Sequence, residues 1–322
     1  MAPDPADSTA LADVGGATTP VKPPRPWLAA LLALLCNGLG HLYAGRPAAA
    51  VGVQMLWLAA MTGFAAMLRA GPSALATAAV VAAGIWLGQA AHARAVARRV
   101  RADPRPRSSR VLALIAFYIA TTALSMLLVP AIRSTVAHTV YVPGGSMIPT
   151  VQIGDVLAVA SGRPAVLRGA VVEIAAPPGS RNAASLLKRV VAIAGDSIEI
   201  RDGALWVNDA PVARAAGADE CRYATRAPDR GWQEGRCLDF VETLDGRAYH
   251  THCTPGVACG DVPREVVPVG RIWVAGDHRD HSADSRVFGP VAESSILGEV
   301  RCVLVSWGPL GPRWERTGLA IR

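Results

Sequence analysis

Three short stretches in the second half of the chain carry residue types that can do chemistry. In Val142-Pro143-Gly144-Gly145-Ser146-Met147-Ile148-Pro149-Thr150, glycines before Ser146 and Pro149 after it fix a turn able to present the hydroxyl with its backbone N–H free. A nucleophile needs both that exposure and a nearby donor for the developing oxyanion. In Leu187-Lys188-Arg189-Val190-Val191-Ala192-Ile193-Ala194-Gly195-Asp196, Lys188 opens an apolar, strand-like run. An ordinary lysine is protonated at neutral pH, but burial disfavours the charged form and can turn the amine into a base. Arg189, one residue on, falls on the opposite face of a strand and is expected to stay solvated. The third stretch, Gly276-Asp277-His278-Arg279-Asp280-His281-Ser282-Ala283-Asp284-Ser285-Arg286-Val287-Phe288-Gly289-Pro290-Val291, is dense in short polar and charged residues. Such a segment must pair its groups, and Asp284 with Arg286 and Asp280 with Arg279 are the expected pairs. Taken singly, each stretch has a plainer reading: a turn, a snorkelling lysine, a solvated loop.

Together, in this order, they resemble type I signal peptidases. That family's motifs run Ser-Gly-Ser-Met-x-Pro-Thr, then Lys-Arg-Val-Val with a following Gly-Asp, then Gly-Asp-Asn-Arg-Asp-Asn-Ser-x-Asp-Ser-Arg-x-Trp/Phe-Gly. The resemblance covers roughly Thr139 to Trp307 and implies a β-rich Ser/Lys protease domain. It implies Ser146 as the acyl-forming nucleophile and Lys188 as the general base, kept neutral by an apolar setting once substrate is bound. Ser282 would orient the amine, Asp284 and Arg286 would hold the loop, and Met147 would help form the substrate cleft. The reaction implied is hydrolysis after small residues, typically an Ala-x-Ala end of a signal peptide, with no metal or organic cofactor. Signal-peptide-bearing precursors are the implied partners, with association with the export machinery a further expectation. Two departures matter. Gly144 stands where many relatives carry a serine that assists the oxyanion hole, and His278 and His281 replace the usual asparagines, which leaves a Ser–His mechanism open as an alternative.

The elements that must position these residues divide into a membrane part and an outer part. Half of the 322 residues are hydrophobic and the mean hydropathy is +0.29, too apolar for an ordinary soluble domain. Residues 1–26 read as a disordered tail. Ala48–Leu68, Ser73–Ala91 and Val111–Ile132 each have the length to cross a ~30 Å hydrocarbon core, while Trp27–Gly45 is a weaker segment interrupted by Asn37, Gly38, Gly40 and His41. Residues 27–92 thus form a multi-span region, 93–110 a basic cytoplasmic loop, 111–132 a transmembrane helix and 133–322 the outer domain. The Asn37–Pro47 stretch resembles the turn of small two-helix bacterial membrane modules, with no function attached.

Charge sets the orientation. Arg94, Arg98, Arg99, Arg101, Arg105, Arg107 and Arg110, against Asp103 alone, carry +6 of the net +7. A basic run between two apolar segments is a topology signal and not a nucleic-acid site, and the positive-inside rule keeps it cytoplasmic. Val111–Ile132 then delivers residues 133–322 to the outer, periplasmic or extracytoplasmic, face of a bacterial inner membrane; the side of the N-terminus stays open. Ser146 lies fourteen residues beyond Ile132, at most ~50 Å of extended chain, so the nucleophile is built near a substrate whose apolar helix stays in the bilayer.

Past Val136 the period changes. Val156–Ala160, Ala170–Ala175, Val190–Ile193, Ser197–Ile200, Ala204–Val207, Arg271–Ala275 and Arg301–Trp307 are short Val/Ile-rich runs bounded by turn residues, read as strands. Asn208-Asp209 reads as a hairpin turn. An insertion at about 208–268 is expected to be looped and holds Cys221, Cys237, Cys253 and Cys259. Four cysteines allow three pairings; in an oxidising compartment disulfides are expected, and a metal site of His250, His252, Cys253 and Cys259 fits no common zinc spacing.

Three other functions compete. A specialised Ser/Lys protease maturing a pilin-type or secretion-system substrate would share the motifs. Self-cleaving SOS-type repressors share the chemistry but not the membrane spans. A silent membrane scaffold would have no reason to keep Ser146, Lys188, Ser282 and Asp284 together.

Overall fold

The computed structural model describes residues 23–67, 72–100, 107–162, 165–178, 184–219, 221–227 and 229–321. Most of the expected tail (residues 1–22), the turn residue Gly71, and Arg101, Asp103 and Arg105 of the basic block lie outside the described residues. The chain divides into two compact units, residues 1–55 with 86–120 and residues 56–85 with 121–322.

Helices Pro26–Leu35, Leu39–Tyr43, Pro47–Met67, Pro72–Arg99 and Arg107–Thr135 come first. Pro47–Met67 and Ser109–Thr135 are long and apolar enough to cross a membrane, with mean hydropathies of 1.5 and 2.3. Leu112, Ile119, Met126 and Leu127 of the latter are exposed, a large apolar face of the kind that lipid covers. The weak window Trp27–Gly45 breaks into two short helices at Asn37–Gly38, where Gly38 adopts φ +84°. Within the first unit, Ala29, Ala33, Ala44, Ala90, Ala93 and Ala97 form a small-residue core that lets helices approach closely. His41 is buried there and bonded to His92 at 2.8 Å. Of the segment expected as a basic loop, residues 93–99 and 107–110 are helical, so Arg94, Arg98, Arg99, Arg107 and Arg110 ride on helix ends. Arginine and alanine are good helix formers, and charge alone does not end a helix.

Beyond Thr135 the structure is β-rich. The main sheet is antiparallel, in the order Ala137–Tyr141, Asp155–Ser161, Ile296–Gly308, Val171–Ala175, Ser185–Ile193, Arg271–Ala275 and Val291–Ala292. Alternation along its strands builds two cores. Val171 packs with Met147, Leu157, Val159 and Val303, whereas Val172 packs with Ile174, Val190, Ile272 and Val274. A second sheet joins Val262–Val266, Ser197–Arg201, Ala204–Val207 and Ala210–Pro211. Its Asn208-Asp209 turn has φ of +53° and +62°, as a two-residue hairpin with both central residues left-handed requires.

The insertion is where expectation fails. Instead of a loop, it contains strands Ala213–Ala216, Cys221–Ala227, Gly231–Leu244 and Arg247–Cys253, which form a third sheet. Gly231–Leu244 begins Gly-Trp-Gln-Glu-Gly-Arg, polar on both faces, and so lacks the alternation that marks a half-buried strand. Pairing and covalent bonds hold it instead. Cys221 and Cys237 sit opposite each other in the ladder and are disulfide-bonded, and Cys253 is bonded to Cys259. All four cysteines are therefore taken, and none serves the His/Cys metal site considered from sequence.

Candidate active site

The turn that carries Ser146 closes through the Ile148 N–H donating to the Gly145 carbonyl at 3.1 Å and the Val151 N–H donating to that of Met147 at 2.9 Å. Met147 is 1% exposed and packs into the core beneath the turn, supporting it from below. Gly144 is exposed, and a Cβ built there would meet nothing within 4 Å. Among the described residues nothing accepts a hydrogen bond from the Ser146 N–H, which leaves it available to an oxyanion.

Strand Ser185–Ile193 brings Lys188 to this turn. Its neighbours in the ladder are Val172 on one side and, through Arg189, Ala275 on the other. The Lys188 Nζ lies 2.9 Å from the Ser146 Oγ and donates to the Leu187 carbonyl at 3.0 Å. Only 2% of the residue is exposed. Burial pushes its pKa from 10.5 down to about 8, against the opposing pull of Asp284 and Asp277, neither of which is hydrogen-bonded to it. A fraction of ~10% is then neutral at pH 7, and a neutral amine within hydrogen-bond reach of a hydroxyl can take its proton.

The third stretch closes over both. Gly276 separates Ser146 from Ser282 so tightly that a Cβ there would collide with the Ser282 side chain and the Ser146 carbonyl oxygen. The His278 N–H donates to that same carbonyl at 3.1 Å. Ser282 Oγ is buried beside Asp284 and helps keep it ionised, but it makes no hydrogen bond of regular geometry at rest. Burial works to raise the Asp284 carboxyl, yet the bonds and charge of Arg286 overcome it and hold the group below its ordinary value. Arg286 reaches Asp284 with Nε at 2.8 Å and a terminal nitrogen at 2.7 Å, and the Gly276 N–H donates to the same carboxylate at 2.8 Å. Arg286 also donates to the Cys259 carbonyl at 2.8 Å, tying the disulfide-bonded insertion to the loop.

Two expected placements are overturned. Arg189 is not solvated but fully buried. It donates to both Asp277 oxygens at 2.8 and 2.7 Å and to the Gly169 carbonyl at 2.5 Å, and it lies 4.0 Å over the Tyr249 ring. Alternation put it on the other face; the third sheet covers that face, which alternation cannot foresee. Asp280 likewise does not pair with Arg279. Arg279 turns to buried Glu242 at 2.5 Å, while Asp280 accepts from the Thr254 N–H at 3.0 Å. Arg189, Asp277, Thr150 and Gly276 thus form a framework beside Ser146 and Lys188 that no local pattern in the sequence announces. Composition also sets Lys188 apart: of 32 lysines and arginines only Lys22 and Lys188 are lysines. Unlike the arginines around it, a lysine is a cation that can deprotonate.

The Ser–His alternative loses ground on geometry. His278 touches Ser146 through its backbone, and burial together with His281 pushes its imidazole down to about 4, too weak a base for neutral pH.

A serine and a buried, hydrogen-bonded lysine on a β scaffold delimit few families, and sequence comparison decides among them. The family described as signal peptidase, peptidase S26, matches residues 115–307. The chain belongs to the signal peptidase family. Signal peptidase I V of Bacillus subtilis (strain 168) is 28% identical over 187 residues, covering 57% of this chain and 95% of that protein. Signal peptidase I of Leptolyngbya laminosa is 26% identical, covering 60% and 83%. A probable thylakoidal processing peptidase of Arabidopsis thaliana is 30% identical, covering 55% of this chain and 40% of its own length. The chain is accordingly a membrane-anchored member of the family with two candidate membrane helices. Residues before 115, including the small-residue helical core, lie outside the family match.

Proposed function

We propose that Ser146 is the nucleophile and Lys188 the general base with which this chain cleaves precursors after small residues at an Ala-x-Ala-type end. The activity itself, type I signal peptidase removal of signal peptides, comes with the family. The observation that carries the residue assignment is the 2.9 Å contact between Ser146 Oγ and a lysine amine 2% exposed.

The neutral Lys188 amine takes the Ser146 proton as Oγ bonds to the scissile carbonyl carbon. The resulting oxyanion is met by the Ser146 N–H. As the intermediate collapses, the C–N bond breaks and the lysine proton passes to the leaving amine, leaving an acyl ester on Ser146. Lys188, neutral again, deprotonates a water that hydrolyses the ester. A bound substrate excludes water from the amine and lowers its pKa further. Ser282, with no hydrogen bond of regular geometry at rest, orients the amine once substrate is bound, and Asp284 with Arg286 holds the loop that carries Ser282; none of these steps draws on a metal or organic cofactor.

The domain is read on the outer face of a bacterial cytoplasmic membrane, with the arginine-rich helix ends inside and residues 133–322 outside. Trp307, Leu310 and Trp314, in and just after the last hairpin, are exposed, and tryptophan there suits a bilayer interface. Association with the export machinery is consistent with this placement, and nucleic acid has no part in it.

The test is cleavage of a purified secretory precursor by the full chain in detergent. Wild type is expected to cut after a small residue, and Ser146→Ala and Lys188→Ala each to lose at least ~10³-fold. Loss in Ser146→Ala alone would move the base to His278 or His281. Failure of folded wild type to cut any secretory precursor would overturn the reading.

A further inference from the structure

The two histidines that replace the family's usual asparagines do more than fill space. His278 precedes the 3-10 turn Arg279–His281, and a 3-10 repeat of three residues eclipses side chains at positions i and i+3. The rings of His278 and His281 are accordingly layered, with centroids 4.5 Å apart and planes tilted by 35°. Asp280 reaches both: its Oδ1 is 3.6 Å from the His278 Nε2 and its Oδ2 3.8 Å from the His281 Nε2. The three donor groups all lie within 4.8 Å of one another. Arg279, the intervening cation, is turned away and paired with Glu242. A second observation points the same way. His278 is 1% exposed, and its ring nitrogens make no hydrogen bond of regular geometry, with the Gly145 backbone as a neighbouring polar group, so the buried ring keeps a nitrogen for a further partner.

We propose that His278, Asp280 and His281 form a binding site for a borderline transition-metal cation of the Zn²⁺ class. Two imidazole nitrogens and a carboxylate oxygen are ligands that Zn²⁺ takes at about 2.0–2.2 Å in tetrahedral geometry, which sets ligand atoms ~3.5 Å apart. The 3.6 and 3.8 Å separations run to different oxygens of Asp280, and with one ligand atom per residue the three lie within 4.8 Å, so the side chains close by up to ~1 Å around the ion. The position is open on the His281 side, which is half exposed, so an ion can enter and solvent can supply the fourth ligand. Asp280 is fixed by the Thr254 N–H and does not have to be ordered on binding. The site is distinct from the dyad but joined to it, because the His278 N–H holds the Ser146 carbonyl.

The test is calorimetric titration of chelator-washed full-length protein in detergent with ZnCl₂, with thermal unfolding followed in parallel. One Zn²⁺ per chain is expected, together with a rise in Tm. His281→Asn, a change at an exposed side chain, is expected to weaken binding at least ~10–100-fold. Asp280→Asn keeps an oxygen for the Thr254 N–H and should weaken it likewise. The neighbouring pair His250–Asp239 is the control, and His250→Ala should leave binding unchanged. No uptake by wild type, or unaltered uptake by His281→Asn and Asp280→Asn, would overturn the proposal, as would loss in His250→Ala alone.

Discussion

Lys188 and Arg189 are adjacent on one strand, both are cations and both are buried, yet the two faces of that strand treat them in opposite ways. On one face Lys188 meets a hydroxyl and a carbonyl, with the nearest carboxylates acting only at a distance. On the other, Arg189 is gripped by both oxygens of Asp277 and by the Gly169 carbonyl. Burial without a bonded counter-ion leaves an amine that can give up its proton; burial with one makes a strut. Desolvation is common to both, so the partner decides. Residue type fits each role: the lysine can lose its proton, whereas the arginine cannot and forms a two-pronged bond.

The comparison is broken most severely at Lys188. Lys188→Met should cut precursor cleavage by at least ~10³-fold and yet make the protein more stable. The free-energy sign follows from linkage. The folded pKa of about 8 lies below the ordinary 10.5, so the unfolded chain binds more protons between those values. Stability from this group therefore rises with pH across that window, and at neutral pH the buried ammonium is a cost. A methionine of similar shape should recover ~1–3 kcal/mol at pH 7, measured by denaturant unfolding. A loss of stability would mean that Lys188 is a strut after all.

Asp277→Asn attacks the other face. It leaves Arg189 charged and unpaired in a dry site and should cost ~3–5 kcal/mol by the same unfolding assay. Replacing both partners, as Arg189→Met with Asp277→Leu, should restore much of that. Activity should fall in the single variant in step with the folded fraction, since neither residue touches the reacting atoms.

The dependence of kcat/KM on pH sharpens the contrast. Below about 8 the rate should fall tenfold per pH unit as the Lys188 amine protonates, and no comparable limb should come from Arg189. A flat profile between pH 6 and 8 would place the base elsewhere. Smallest in effect is Gly144→Ser. The position has open space and ordinary backbone geometry, so a serine fits and can offer the oxyanion a second donor. Single-turnover cleavage should quicken, by up to ~10-fold.

How much of this was legible beforehand depends on what kind of information each residue requires. Ser146 and Lys188 stand out only when the three stretches are taken together and in order, since each alone has a plainer local reading; the structure brings the two within 2.9 Å. The strand positions of Val171–Ala175 and Ala204–Val207 were legible locally, as alternation or β-branching within a few residues. Arg189 was given the correct face and the wrong environment, because its cover comes from Tyr249, some sixty residues away in a sheet with no apolar alternation to announce it. Arg279 and Glu242 pair across 37 residues for the same reason. The disulfide pairing was undetermined by spacing and follows only from Cys221 and Cys237 facing each other in a ladder. The basic block was read correctly for charge but as a loop, because helix ends tolerate arginine and composition alone does not mark where a helix stops.

The most direct test of the central claim is to titrate the lysine itself. Full-length protein labelled with ¹⁵N only in lysine carries two side-chain signals, from Lys22 and Lys188, and Lys188→Met assigns them by difference. The account predicts that the Lys188 amine titrates at about 8. Titration of Lys188 at its ordinary value of 10.5 would contradict it, because burial in the resting site would then have done nothing to make the amine a base.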